Sequence, residues 1–86
     1  MNTRNKIVVV GSGYVGMSLA TMLSKKYQVC VLDIDESRVN AINERTSTIR
    51  DKDIQKTLSN ADLNLHATKN KEEAYKDADF IIVCTP

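Results

Sequence analysis

Solid apolar runs lie near both ends of this chain: residues 7–10 read IVVV and residues 80–84 read FIIVC. A strand with one wet face alternates apolar and polar residues. An unbroken apolar run suits a parallel strand with helices on both faces. Between these runs, residues 15–26 place apolar side chains at 15, 19, 22 and 23, with Ala20 beside them. That spacing predicts an amphipathic helix whose buried stripe begins at Val15. Lys25 and Lys26 then fall in its last turn, where cations complement the carbonyl end of the helix dipole. Residues 29–32 read as a second strand. Asp35 or Ser37 can cap a helix running to about Glu44, with Val39 and Ile42 facing inward.

Further along, residues 45–50 (RTSTIR) read as a loop, and residues 52–59 as a short helix with Ile54 and Leu58 four apart. Residues 60–62 turn the chain. Residues 63–67 alternate Leu, Asn, Leu, His, Ala, which suits a strand nearer a sheet edge. Residues 71–76 form a short helix ahead of the final apolar strand, and Thr85-Pro86 ends it. The polar residues 1–5 are expected to fray. The predicted order is therefore β-α-β-α-α-β-α-β. Strands alternating with helices imply a parallel sheet with right-handed crossovers. No internal repeat, low-complexity tract or linker interrupts it.

Composition narrows the class without changing the fold. With 86 residues, 42% hydrophobic and 27% charged, the chain reads as one small globular unit or part of a larger one. A net charge of +1 favours neither nucleic acid nor an anionic membrane. No apolar run approaches the roughly 18–20 residues of a membrane span, and no signal peptide is visible. Cys30 and Cys84 lie in apolar strand-like runs, outside any metal-ligand spacing, and read as reduced buried thiols. A cytoplasmic protein is the expectation.

Chemistry concentrates at the end of the first strand. Gly11, Gly13 and Gly16 form G-x-G-x-x-G and are the chain's three glycines. Between a strand and a helix, that triplet fits a dinucleotide turn. Gly11 lets the chain turn, Gly13 lets a pyrophosphate approach the backbone, and Gly16 lets the helix pack close to the sheet. The backbone amides of Tyr14 and Val15 are candidate phosphate donors at the helix N-terminus. Asp33 lies 22 positions after Gly11, close to the spacing of about 20 for a ribose-binding acid. A carboxylate there accepts from ribose hydroxyls and repels a 2′-phosphate, favouring NAD over NADP. It also competes with Asp35 for the role of a loop acid or helix cap. Arg38 reads either as a contact along the adenosine or as a solvated helix charge. His66 has no partner nearby in sequence and reads as structural or solvent-facing. The run KNKEEAYKDAD reads as a solvated helix face with salt-bridge spacing. Thr85-Pro86 falls at the carboxyl end of a parallel strand, where such sheets bind ligands.

The fold expected is thus α/β, a Rossmann-like parallel sheet of about four strands with helices on both faces. A complete 3-2-1-4-5-6 sheet has two more strands, so residues 1–86 are expected to be the N-terminal part of a dinucleotide-binding domain.

These stretches resemble a known family. GSGYVGMSLATMLS is similar to the nucleotide turn of the UDP-glucose/GDP-mannose dehydrogenase family, and of its UDP-glucose 6-dehydrogenases in particular; Tyr14-Val15 inside the triplet is more telling than the glycines. VCVLDIDESRVNAINE, STIRDKDIQKTL and AYKDADFIIVCTP resemble the segments that follow, so the likeness spans essentially all 86 residues. One departure is visible, since the family often has Pro in the loop where this chain reads Ser47-Thr48-Ile49. The resemblance implies that Gly11, Gly13 and Gly16 are the turn glycines. Val15 meets the pyrophosphate, Asp33 holds the adenosine ribose, and Arg38 is a basic cofactor contact.

It also implies oxidation of a sugar 6-hydroxyl to a carboxylate with two NAD, serving polysaccharide biosynthesis. The nucleophile is a cysteine that carries a thiohemiacetal and then a thioester. Neither Cys30 nor Cys84 matches that nucleophile, so no catalytic residue is expected here, and the 86-residue chain alone is expected to be inactive. The nucleotide-sugar substrate would be bound mainly by residues outside the chain, and the full-length protein is expected to be a homodimer. Relatives acting on UDP-N-acetylmannosamine or GDP-mannose remain open. So does a non-enzymatic NAD-binding regulatory module, although the extra helical segment after Glu44 argues against it.

Overall fold

The computed structural model of the chain describes residues 5–60 and 63–84. Eight elements follow in the predicted order: β1 (Lys6–Val10), α1 (Tyr14–Leu23), β2 (Gln28–Leu32), α2 (Glu36–Asn43), α3 (Lys52–Leu58), β3 (Leu65–Thr68), α4 (Lys71–Tyr75) and β4 (Phe80–Val83). The strands form one parallel sheet in the order β3-β2-β1-β4. Val8 on β1 pairs with Cys30 on β2 and Ile81 on β4.

The two faces of the sheet explain the unbroken apolar runs. Ile7, Val9, Val29 and Val31 point into one core with Met17 and Ala20 of α1, Val39 and Ile42 of α2, and Ile54 and Leu58 of α3. Val8, Cys30 and Leu32 point the other way, onto Ala74 of α4. β1 and β2 are thus covered on both sides, and a polar residue on either face would be left without water. β2 and β3 step away from β1 in one direction, and β4 returns on its other side. That reversal opens a crevice at the carboxyl ends of the strands, where open parallel sheets take ligands.

Several elements depart from the sequence reading. α1 buries Gly16, Met17, Ala20 and Thr21, not the stripe starting at Val15. Val15 and Met22 are 60% and 57% exposed. The close approach is local to Gly16, where a Cβ would meet Gly11 O, while Met17 one residue on fills the core. Thr21 and the following Ser24 tolerate burial because their hydroxyls donate to backbone carbonyls of Met17 and Thr21 within their own helix. The helix also stops at Leu23, so Lys25 and Lys26 lie beyond its last turn.

β3 begins two residues later than the predicted strand and is an edge strand, as the alternation implied. β4 differs more: its solid apolar run lies at the other sheet edge, with Phe80, Ile81 and Val83 at least half exposed. The predicted 60–62 turn falls partly outside the described residues, and Thr85-Pro86 falls wholly outside them.

Candidate functional site

β1 ends in the glycine turn, and each glycine there answers a different constraint. Gly11 adopts φ 104°, in the region where side chains are strained. Its N–H donates to Leu32 O at 2.8 Å, continuing the ladder one residue past the strand. At Gly16 a Cβ would stand 2.1 Å from Gly11 O, so only glycine allows α1 this approach. Gly13 has ordinary φ −75° and is the N-cap of α1. A Cβ there would meet no described protein atom within 4 Å, so the chain's own packing does not require glycine at this position.

No side chain caps α1 at Gly13, and the first turn carries no acidic residue. The opening amides of Tyr14 and Val15 and the positive dipole end therefore face the crevice uncompensated, which suits an anion. Both residues are exposed.

Asp33 follows the last residue of β2, and its backbone N–H donates to Thr68 O at 3.2 Å. Its Oδ2 accepts from Ser12 N at 2.9 Å and Ser12 Oγ at 2.6 Å, and its Oδ1 accepts from Asp35 N at 2.9 Å. Partial burial pushes the carboxyl upward. The hydrogen bonds from Ser12 and Asp35, with the nearby Arg38 charge, outweigh this and hold it below its ordinary value. Asp33 is thus a half-buried, ionised carboxylate tied to the glycine turn. Beside it, Val10, Gly11, Leu32, Ile34, Lys69 and Tyr75 help to line a hollow of about 220 Å³.

Of the two acids, Asp35 caps the helix. Asp35 is the N-cap of α2, and its side chain accepts from Ser37 N and Arg38 N. Its carboxyl is held down chiefly by the Ser37 hydroxyl. Arg38 is exposed, with Nε 3.8 Å from Asp35 Oδ2, and so leans toward the cap rather than onto Asp33. His66 is half-buried on β3, in register with Cys30. Cys30 and Cys84 are free thiols, and burial pushes the Cys30 thiol up. Ion pairing in the charged run is sparse: Lys69 reaches Glu36 of α2 at 3.2 Å, and both are exposed.

Three residues at the site were not singled out from sequence. Ser12 sits inside the glycine motif and bonds Asp33. Ile34, 91% exposed, offers apolar surface at the rim of the hollow. Thr48, from the loop before α3, donates to Ser12 O at 3.2 Å. An apolar residue between two acids was a signal for Ile34, but nothing local pointed to Thr48. Among the described residues no cluster of His, Cys, Asp and Glu could hold a metal ion, and no helix is long and apolar enough to cross a membrane.

Residues 5–86 match the model of the UDP-glucose/GDP-mannose dehydrogenase family, NAD binding domain. The chain is 43% identical over 81 residues to UDP-glucose 6-dehydrogenase of Streptococcus pneumoniae. It is 47% identical over 83 residues to that of Campylobacter jejuni. Each match covers 94% of this chain and 21% of the relative, so the chain spans about a fifth of their length. The solved GDP-mannose dehydrogenase from Pseudomonas aeruginosa superposes with a TM-score of 0.86 at 26% identity, covering 93% of this chain and 19% of that one. The chain therefore belongs to the UDP-glucose/GDP-mannose dehydrogenase family of NAD-dependent oxidoreductases, through its NAD binding domain.

Proposed function

We propose that this chain is the N-terminal, cofactor-holding part of a UDP-glucose 6-dehydrogenase, a cytoplasmic, homodimeric enzyme when full-length that oxidises UDP-glucose to UDP-glucuronate with two NAD. The observation that carries this choice of sugar is the 43% and 47% identity to two such enzymes across 94% of the chain. A second reading keeps a different nucleotide sugar, since UDP-N-acetyl-D-mannosamine dehydrogenase of Methanococcus aeolicus is 36% identical over 83 residues.

The site's geometry suits NAD. The uncapped start of α1 and the open space at Gly13 accommodate a pyrophosphate, which the amides of Tyr14 and Val15 would bind. Gly11 and Gly16 shape the turn around it. Asp33 would accept from the adenosine ribose, and its ionised state would repel a 2′-phosphate. Arg38 would lie along the adenosine side, and Ile34 would give the adenine an apolar contact. Bound NAD supplies the hydride acceptor. The chain's own residues hold and orient it, and none of them is assigned a catalytic role. We therefore expect residues 1–86 alone not to oxidise a sugar.

Calorimetric titration of the full-length protein with NAD tests the cofactor role. Asp33→Ala should weaken binding by about tenfold or more, as expected for loss of a charge-assisted hydrogen bond. Unchanged affinity would remove Asp33 from the ribose. The sugar is tested in the full-length protein by NADH formation from UDP-glucose, GDP-mannose and UDP-N-acetylmannosamine. A preference for either of the latter two would overturn the assignment.

A further inference from the structure

Ser12 occupies the first variable position of the glycine motif, yet its side chain does not face the crevice. It is 1% exposed, which leaves no surface for a ligand to touch. Its hydroxyl and its backbone N–H converge on the same atom, Asp33 Oδ2, at 2.6 and 2.9 Å. Its carbonyl accepts from Thr48 Oγ1 at 3.2 Å, tying the turn to the loop before α3. Ser12 is thus held on one side by Thr48 and grips Asp33 on the other.

The consequence follows from counting acceptor sites. An ionised carboxylate offers about four, two on each oxygen. Ser12 fills both on Oδ2, and Asp35 N–H takes one on Oδ1. The remaining open site is on Oδ1. Without the Ser12 hydroxyl, Oδ2 has a vacant acceptor position and the carboxylate can turn about its χ2 bond.

We propose that Ser12 is a positioning residue for the dinucleotide site: by saturating Asp33 Oδ2 from behind, it presents Oδ1 in one orientation to a ribose hydroxyl. This rests on Asp33 being the ribose acceptor and adds the residue that aims it. Ser12 acts through Asp33 and does not touch the cofactor.

The test uses the full-length protein and two ligands, ADP and 2′,3′-dideoxyadenosine diphosphate. Both carry the pyrophosphate, but only ADP has the ribose hydroxyls. Ser12→Ala should weaken ADP about tenfold and leave the dideoxy ligand within about twofold, the coupling expected of groups acting through one contact. Equal weakening of both ligands would mean that Ser12 only shapes the turn, and would overturn the proposal. So would full retention of ADP affinity by Ser12→Ala when Asp33→Ala loses it, a result that leaves the ribose role of Asp33 standing. If the unaltered protein binds the two ligands equally, the ribose role of Asp33 falls and the proposal with it. Circular dichroism reports whether each variant folds. Should Ser12→Ala unfold, Ser12→Gly removes the same hydroxyl while keeping the N–H, and the same comparison decides.

Discussion

Gly13 and Gly16 stand three residues apart in one motif, but the protein's own packing constrains only the second. A Cβ at Gly16 would collide with the carbonyl of Gly11, whereas one at Gly13 would enter open space. Gly16→Ala should therefore destabilise the fold by about 1–3 kcal/mol, the range for overpacking, read as a shift in the urea midpoint. Gly13→Val should leave that midpoint nearly unchanged and abolish NAD binding, because its side chain occupies the space left for the pyrophosphate.

Titration separates two further residues. Burial, with Lys6 and Arg45, holds the His66 imidazole below its ordinary value against the opposing pull of Glu73. A histidine with a depressed folded pKa binds its proton first in the unfolded chain, so stability is full above its ordinary value and declines as pH falls below it. Asp33 follows the same direction in a more acidic window. Its contribution is present above the ordinary carboxylate value and is lost as pH falls through its lowered folded value. The urea midpoint should drop between pH 7.5 and pH 5.5, and His66→Gln should flatten that drop while leaving the acid limb in place.

Among the elements, α2 owes its start to a single side chain. Asp35 accepts from Ser37 N and Arg38 N at the helix N-terminus. Asp35→Ala should cost about 1 kcal/mol, typical for loss of an N-cap, measured by chemical denaturation. Its effect on NAD affinity should be small beside that of Asp33→Ala, because the backbone N–H that Asp35 donates to Asp33 survives the change. Two acids two residues apart would thus divide into one that acts on stability and one that acts on binding. α3 carries the same device, with Asp51 accepting from Asp53 N and Ile54 N. The loop between α2 and α3 is held by Gln55, which accepts from Ser47 N and donates to Arg45 O. That brace keeps Thr48 within reach of the glycine turn.

For the whole molecule, the order β3-β2-β1-β4 places the glycine turn and the tip of β2 side by side at one end of the sheet. Among the described residues, α1 to α3 cover one face and only the short α4 covers the other, leaving β4 with Phe80, Ile81 and Val83 at least half exposed. A ligand that binds only the folded state stabilises it by mass action. NAD at a hundred times its dissociation constant should therefore raise the unfolding free energy of the full-length protein by about 2.7 kcal/mol. Thermal melts with and without NAD measure this, and the shift should vanish in Gly13→Val.

The order and type of all eight elements were readable in the sequence, because covered parallel strands demand solid apolar runs and caps demand Asp or Asn at fixed offsets. So was the turn after β1, since Gly11 and Gly16 answer to backbone geometry that only glycine satisfies. The tertiary structure decided the rest. Which face of α1 is buried depends on how closely it approaches the sheet, and hydroxyls that bond their own helix can occupy that face as readily as apolar groups. Which of Asp33 and Asp35 meets the glycine turn depends on where β2 ends, and the other caps α2. Ser12 and Thr48 become part of the site only when segments distant in sequence are folded together, because their partners lie 21 and 36 residues away along the chain.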